Sequence, residues 1–204
     1  MAASSDLVTG TLFAVVGRSG AGKDSVMNYA RAALAGDDGV LFVRRVISRP
    51  ADSQGEDHEP VTGDQFRRQL AEGAFCAAWD AHGLHYGIPM HVLDHVGAGG
   101  IAIVNGSRQA LDRLFDRFAH IQVVEIVAAP DVIAARLAAR GRETNEEIAA
   151  RLRRSVPAYR GADAAIAIDN SGPLAVAGDA LVGLIGARLS GTVARPRAAL
   201  TNPD

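Results

Sequence analysis

Residues Val15–Met27 read VVGRSGAGKDSVM, and no other stretch of the chain narrows the fold so far. Gly17, Gly22 and Lys23 satisfy the spacing G-x-x-x-x-G-K. The run before them, Leu12–Val16 (LFAVV), is short and continuously apolar, as a strand buried on both faces requires. The run after them, Ser25 to Leu34, carries apolar residues at helical spacing and stops at Gly36. Strand, glycine-rich turn and helix in that order form an anion cradle. Backbone N–H groups point inward, and the helix N-terminus adds partial positive charge. The loop Gly17, Arg18, Ser19, Gly20, Ala21, Gly22, Lys23, Asp24 and Ser25 is therefore expected to hold a nucleotide's phosphates.

The same loop keeps a residue used nowhere else. Of 21 basic residues, Lys23 is the single lysine and all the others are arginine. A compact ammonium on a flexible stem is retained where a phosphate suits it. Next to it, Asp24 stands where a hydroxyl residue is usual, and the hydroxyl moves one place on, to Ser25. A carboxylate beside bare phosphates would be repelled. Beside Mg2+ it would be attracted, directly or through water. The alternative is a first-turn acid that complements the helix dipole. Both readings stay open; the expectation carried forward is that Asp24 and Ser25 serve magnesium.

Composition removes other classes. A chain of 204 residues suffices for one domain with a sizeable core. A net charge of −2 argues against a chain-wide nucleic-acid footprint. No apolar run reaches the ~18 residues that a membrane span needs, and the start MAASSDLVTG lacks a basic region and a long apolar core. The lone cysteine, Cys76, and Trp79 lie in an apolar run and are expected to pack. The histidines at 82, 85, 91 and 95 lack metal-ligand spacing. The expectation is a cytoplasmic protein with no nucleic-acid or membrane partner; its oligomeric state stays open.

Further strands are expected at Leu41–Ile47, Phe75–Trp79, Leu84–Tyr86, Ile101–Val104, Ile121–Val127 and Ala164–Ile168. Helices are expected at Gln65–Glu72, Pro89–Val96, Arg108–Phe118, Ala129–Arg140, Asn145–Tyr159 and Leu174–Leu189. Strands alternating with helices imply an α/β fold with a parallel sheet sandwiched by helices. Ser48–Tyr86 breaks the alternation. One domain is expected over 11–189, with an insertion at about 48–88, a lid at about 136–155, and flexible tails at 1–10 and 190–204.

Several stretches resemble P-loop kinases of the guanylate kinase type. Arg136–Leu152 (RLAARGRETNEEIAARL) is similar to that family's lid. His82–Gly87 (HGLHYG) looks like the segment carrying a phosphate-contacting tyrosine, and Val46–Pro50 (VISRP) like the place where an arginine holds the acceptor phosphate. The resemblance covers most of residues 12–189 and departs where that family reads guanine. The base-reading acid falls near Ala77, the acidic strand end becomes VNGSR (Val104–Arg108), and the G-x-D-Y segment becomes GEDHEP (Gly55–Pro60). A site that reads a base by hydrogen bonds discriminates strongly, so these losses imply an acceptor without a base. The combination is similar to a branch of the family that works in phosphonate utilisation. That resemblance implies ATP-dependent conversion of a small phosphorylated sugar, α-D-ribose 1,5-bisphosphate, into 5-phospho-α-D-ribose 1-diphosphate. Guanylate kinase activity and a non-catalytic module of the same fold are the alternatives.

An acceptor phosphate is already largely ionised at pH 7, because its second pKa is about 6. The implied reaction needs no general base, only positioning and charge stabilisation. The resemblance implies that Lys23 and the loop N–H groups serve the ATP β- and γ-phosphates. It makes Arg140 and Arg151, with Arg136 as a third, lid arginines on the transferring group. Arg153 and Arg154 read as solvated charges pairing with Glu146 and Glu147. Arg49 and Tyr86, supported by Ser48, are implied acceptor-phosphate contacts. Asn105 and Arg108 lie past a strand's C-terminal end, where open α/β sheets bind ligands. They are expected to hold the second phosphate and the ribose hydroxyls, with His58 on the sugar. Asp169–Gly172 (DNSG) is a candidate adenine loop.

Overall fold

The computed structural model describes residues 10–50, 56–141, 144–153 and 158–191. Its strands are β1 (Thr11–Gly17), β2 (Val40–Phe42), β3 (Val46–Ile47), β4 (Glu59–Pro60), β5 (Phe75–Ala81), β6 (Leu84–Pro89), β7 (Ile101–Asn105), β8 (Ile121–Val127) and β9 (Ile166–Asp169). Its helices are α1 (Lys23–Ala33), α2 (Gly63–Ala71), α3 (His91–Gly97), α4 (Leu111–Phe115), α5 (Pro130–Ala139), α6 (Asn145–Arg153) and α7 (Leu174–Leu189).

The apolar run of β1 needs burial on both faces, and it finds it. Successive side chains of a strand point to opposite sides. Leu12, Ala14 and Val16 enter one core with Ala102 and Val104 of β7 and with α3 and α4. Phe13 and Val15 enter another with Ile101, Ile103, α1 and α7. The sheet has the order β2-β7-β1-β8-β9, and all its pairings are parallel. Its two helical faces satisfy the expected sandwich.

The segment that broke the alternation builds a second sheet of order β4-β3-β6-β5. There β3 pairs parallel to β4 and antiparallel to β6, and β5 and β6 form a hairpin. Trp79 is buried in it, as expected, and so is Cys76, whose thiol is pushed up to about 11 by burial. That thiol packs and is not poised to react.

Leu41–Ile47, expected as one strand, divides between the sheets. Val43 N still donates to Ile103 O at 2.8 Å, but Val46 already pairs with Gly87 and Ile47 with Tyr86. Arg44 and Arg45 occupy the crossing, where Arg44 pairs with Asp57 and Arg45 with Glu56. Both ion pairs lie where the chain passes from one sheet to the other. Arg108–Phe118, expected as one helix, is a 3-10 turn at Arg108–Ala110 followed by the short α4. Pro89 closes β6 instead of opening α3. Gly10, assigned to a flexible tail, is buried and donates to Val96 O at 3.1 Å. The remainder of that tail, residues 192–204, and the lid positions Arg154 and Ser155 lie outside the described residues. Among the described residues, no helix is long and apolar enough to cross a membrane.

Candidate active site

The phosphate loop leaves β1 at Gly17 and enters α1 at Lys23. Gly20 (φ +89°) and Gly22 (φ +87°) take a left-handed backbone. A Cβ on Gly22 would lie 2.4 Å from Nδ2 of Asn170, so only glycine fits. Asn170 is buried and donates to Ala21 O at 2.8 Å. The candidate adenine loop therefore braces the phosphate loop from below. Arg136, expected on a lid, does the same: it donates to Asn170 O at 2.8 Å and to Ala21 O at 3.4 Å.

Lys23 Nζ donates to Gly17 O at 3.1 Å, folding the side chain back over the loop. Burial lowers its pKa below the ordinary value; Asp24 and Glu56 work against that shift, and Arg45 and Arg108 add to it. Four charged side chains therefore act on one ammonium.

Asn105, at the carboxyl end of β7, ties two of them together. Its Nδ2 donates to Asp24 Oδ1 at 2.7 Å and to Glu56 Oε2 at 2.9 Å. Glu56 in turn accepts from Arg45, whose Nε lies 2.7 Å from Oε1 and whose Nη2 meets Oε2. The Arg45 guanidinium sits over the rings of Tyr86 (5.1 Å) and Trp79 (5.6 Å), which stack on each other. Asp24, Asn28, Arg31, Glu56, Asp57 and Asn105 line a cleft beside α1. Sequence reasoning missed Arg45 and Glu56. The only signal was the departure segment GEDHEP, which shows a missing motif but not the acid's new partner.

The other expected contacts divide. Ser48 Oγ accepts from His85 N at 2.8 Å, which ties β3 to β6. His58 is buried, with Nδ1 2.8 Å from Glu56 O and Nε2 3.2 Å from Arg49 O. Its ring fastens the 56–58 segment to β3. Arg49 Nε is buried without a hydrogen-bond partner among the described residues. Arg108 pairs with Glu125 and lies over the Tyr159 ring at 5.6 Å; its Nε too is buried and unpartnered. Arg140 is exposed at the end of α5, and Arg151 lies in the last turn of α6. The Glu147 carboxylate accepts from Thr144 N at 2.7 Å, and Thr144 Oγ1 accepts from Glu147 N at 3.3 Å. This reciprocal cap opens α6.

Tyr159 donates to Glu125 Oε2 at 2.6 Å. Burial alone would push the Glu125 carboxyl up, but bonds from Tyr159 and Arg108 hold it below its ordinary value. Burial and the Glu125 bond push the Tyr159 phenol up to about 12 from 10.0. The protonated phenol is favoured in the folded state, so its contribution to stability is complete below pH 10 and fades as pH rises toward 12. In a spectrophotometric difference titration, Glu125→Gln should move that ionisation back toward 10. An unchanged high-pH limb would refute the coupling.

Strand order, loop and first helix define a P-loop kinase fold. The guanylate kinase from Anaplasma phagocytophilum superposes with a TM-score of 0.64 at 16% identity, covering 88% of this chain and 86% of that one. No protein-family model matches the chain. Curated relatives do. Ribose 1,5-bisphosphate phosphokinase PhnN from Agrobacterium fabrum is 46% identical over 171 residues, covering 84% of this chain and 93% of that one. The protein of the same name from Thiobacillus denitrificans is 42% identical over 176 residues, with 86% and 93% covered. The chain belongs to the ribose 1,5-bisphosphate phosphokinase family.

Proposed function

We propose that this enzyme transfers the γ-phosphoryl group of ATP to α-D-ribose 1,5-bisphosphate, yielding 5-phospho-α-D-ribose 1-diphosphate and ADP in the cytoplasm. The observation that carries the reading is the 46% identity, over 171 residues, to a relative named for that substrate. An oxygen of the sugar's 1-phosphate attacks the γ-phosphorus, and the bond to the ADP oxygen breaks in line. No proton has to be removed first.

The phosphate loop and Lys23 receive the ATP β- and γ-phosphates. The acceptor lies over the second sheet, against Arg49, Tyr86, Asn105 and Arg108. The buried Nε atoms of Arg49 and Arg108, unpartnered among the described residues, suit this role, because a phosphate oxygen would supply acceptors. The α5–α6 pair serves as the lid, bringing Arg140 and Arg151 to the transferring group. Magnesium fits beside Asp24 and Ser25, whose oxygens are the hard donors it takes. Among the described residues, no three acidic, histidine or cysteine side chains converge on one point, so phosphates and water would complete its shell. The ion supplies charge neutralisation on the nucleotide.

The base-free acceptor site finds support at Ala77, which is buried in β5 and offers a methyl group where a guanine reader would need an acid. In a coupled ADP-release assay, ribose 1,5-bisphosphate should exceed GMP by about 100-fold in kcat/KM. Efficient GMP turnover would replace this assignment with guanylate kinase. Absence of ATP binding by titration would leave only an interaction module.

A further inference from the structure

We infer that Arg18 is a positioning residue that latches helix α6 onto the phosphate loop, so that nucleotide loading and placement of Arg151 become one event; this rests on the phosphotransfer reading above. Arg18 occupies the second position of the loop, where the backbone suffices to meet phosphates. Its side chain is engaged elsewhere. Nη2 donates to the backbone carbonyls of Arg151 (2.7 Å) and Leu152 (2.9 Å). Both belong to α6, and the Arg18 guanidinium supplies a donor to each of these carbonyls. Toward the C-terminal end of a helix the carbonyls carry partial negative charge, which a guanidinium complements.

The neighbouring helix grips the same loop. A Cβ on Gly20 would lie 2.9 Å from Ile133 and 3.2 Å from Leu137, so α5 rests directly on the loop backbone. Ile133 and Leu137 share a small core with Ile148 of α6, and Leu152 packs against it. Arg136 of α5 holds Ala21 O. Arg18, Gly20 and Ala21 are thus each tied to the α5–α6 pair. Arg18 is the tie that reaches α6 itself, at the peptide from which the Arg151 side chain departs.

The test compares wild type with Arg18→Ala and Arg18→Lys. It reads kcat and the KM for ATP, hydrolysis of ATP without acceptor, thermal midpoint, and amide hydrogen exchange. Arg18→Ala should lower kcat about tenfold, the scale of a lost charge-assisted hydrogen-bond pair, with the KM for ATP nearly unchanged. Exchange should accelerate in α6 while β1 and α1 stay protected, and the share of ATP lost to water should rise. Arg18→Lys should restore part of both effects. Unchanged kcat and α6 exchange would overturn the latch. So would a raised KM for ATP with α6 exchange unchanged, which would put Arg18 on the nucleotide. Faster exchange throughout the sheet would make Arg18 a general support of the fold and would also overturn it. If wild type itself fails to phosphorylate ribose 1,5-bisphosphate, the substrate assignment fails, while the exchange comparison still judges the latch.

Discussion

Lys23→Met should cut phosphoryl transfer by about 10³-fold and leave the fold standing, because a preorganised charge in a water-poor site stabilises developing negative charge far more than it would in water. Methionine keeps an unbranched stem of similar length, so packing beside Gly17 survives. What disappears is the chain's one ammonium, which sits among Asp24, Arg45, Glu56 and Arg108. Arginine would not replace it, since a planar fork needs room that the folded-back lysine does not occupy. Burial lowers the Lys23 pKa below 10.5, so the folded state binds its proton less readily than the unfolded chain. The cost of burying this charge is present at neutral pH and is relieved as pH rises from the lowered value toward 10.5. Two results follow. The variant should melt no lower than wild type at pH 7. In wild type, the KM for ATP should rise on the alkaline side before pH 10.5, and that limb should vanish in the variant. Coupled ADP release across pH and thermal melts measure both; a variant within tenfold of wild-type turnover would sink the proposed role.

Glu56→Ala should cost about 3 kcal/mol of stability, within the range for leaving one member of a buried ion pair uncompensated. The side chains of Arg45 and Glu56 are only 8% and 15% exposed. Without the carboxylate, the Arg45 guanidinium keeps, among the described residues, the faces of Tyr86 and Trp79, which recover a fraction of the loss. Asn105 also loses one of its two acceptors, which frees the amide beside Asp24. Activity should fall with stability, because this amide sits between the proposed nucleotide and acceptor sides. Urea denaturation measures the first effect and ADP release the second. Arg45→Ala combined with Glu56→Ala should be less destabilised than the two single losses added together. Simple additivity would show that the pair contributes nothing as a pair.

The central sheet was legible in the sequence because its signals are local. LFAVV needed no partner to announce a doubly buried strand, and Gly17 to Lys23 needed none to announce the loop. Leu174–Leu189 was read with its observed limits. Leu41–Ile47 was misread because its alternation satisfies either sheet, and only the ion pairs of Arg44 and Arg45 mark where the chain crosses. Those partners, Asp57 and Glu56, sit on the far side of a segment with no periodic pattern. The same limit hid half of the candidate site. Asn105 and Arg108 were expected from a position rule, and they do lie at and just past the end of β7. Arg45 was not, because nothing in RRV tells the arginine that points to water from the one lodged between a carboxylate and two rings. Nor does a histidine beside acids reveal in the sequence that both of its ring nitrogens face backbone carbonyls, as those of His58 do.

The central place of β1 has a consequence for biosynthesis. Its hydrogen-bonding neighbours begin at Ile101 and Ile121, so about half of the 204 residues must be translated before the first edge of Leu12–Val16 can be covered, and more before the second. At 5–20 residues per second that takes roughly 5 to 20 seconds, during which an apolar segment with two open edges waits at the ribosome exit. Such non-local pairing folds slowly and invites aggregation, which makes nascent β1 a natural client for a chaperone. A chain released before Ile121 would retain that adhesive edge permanently.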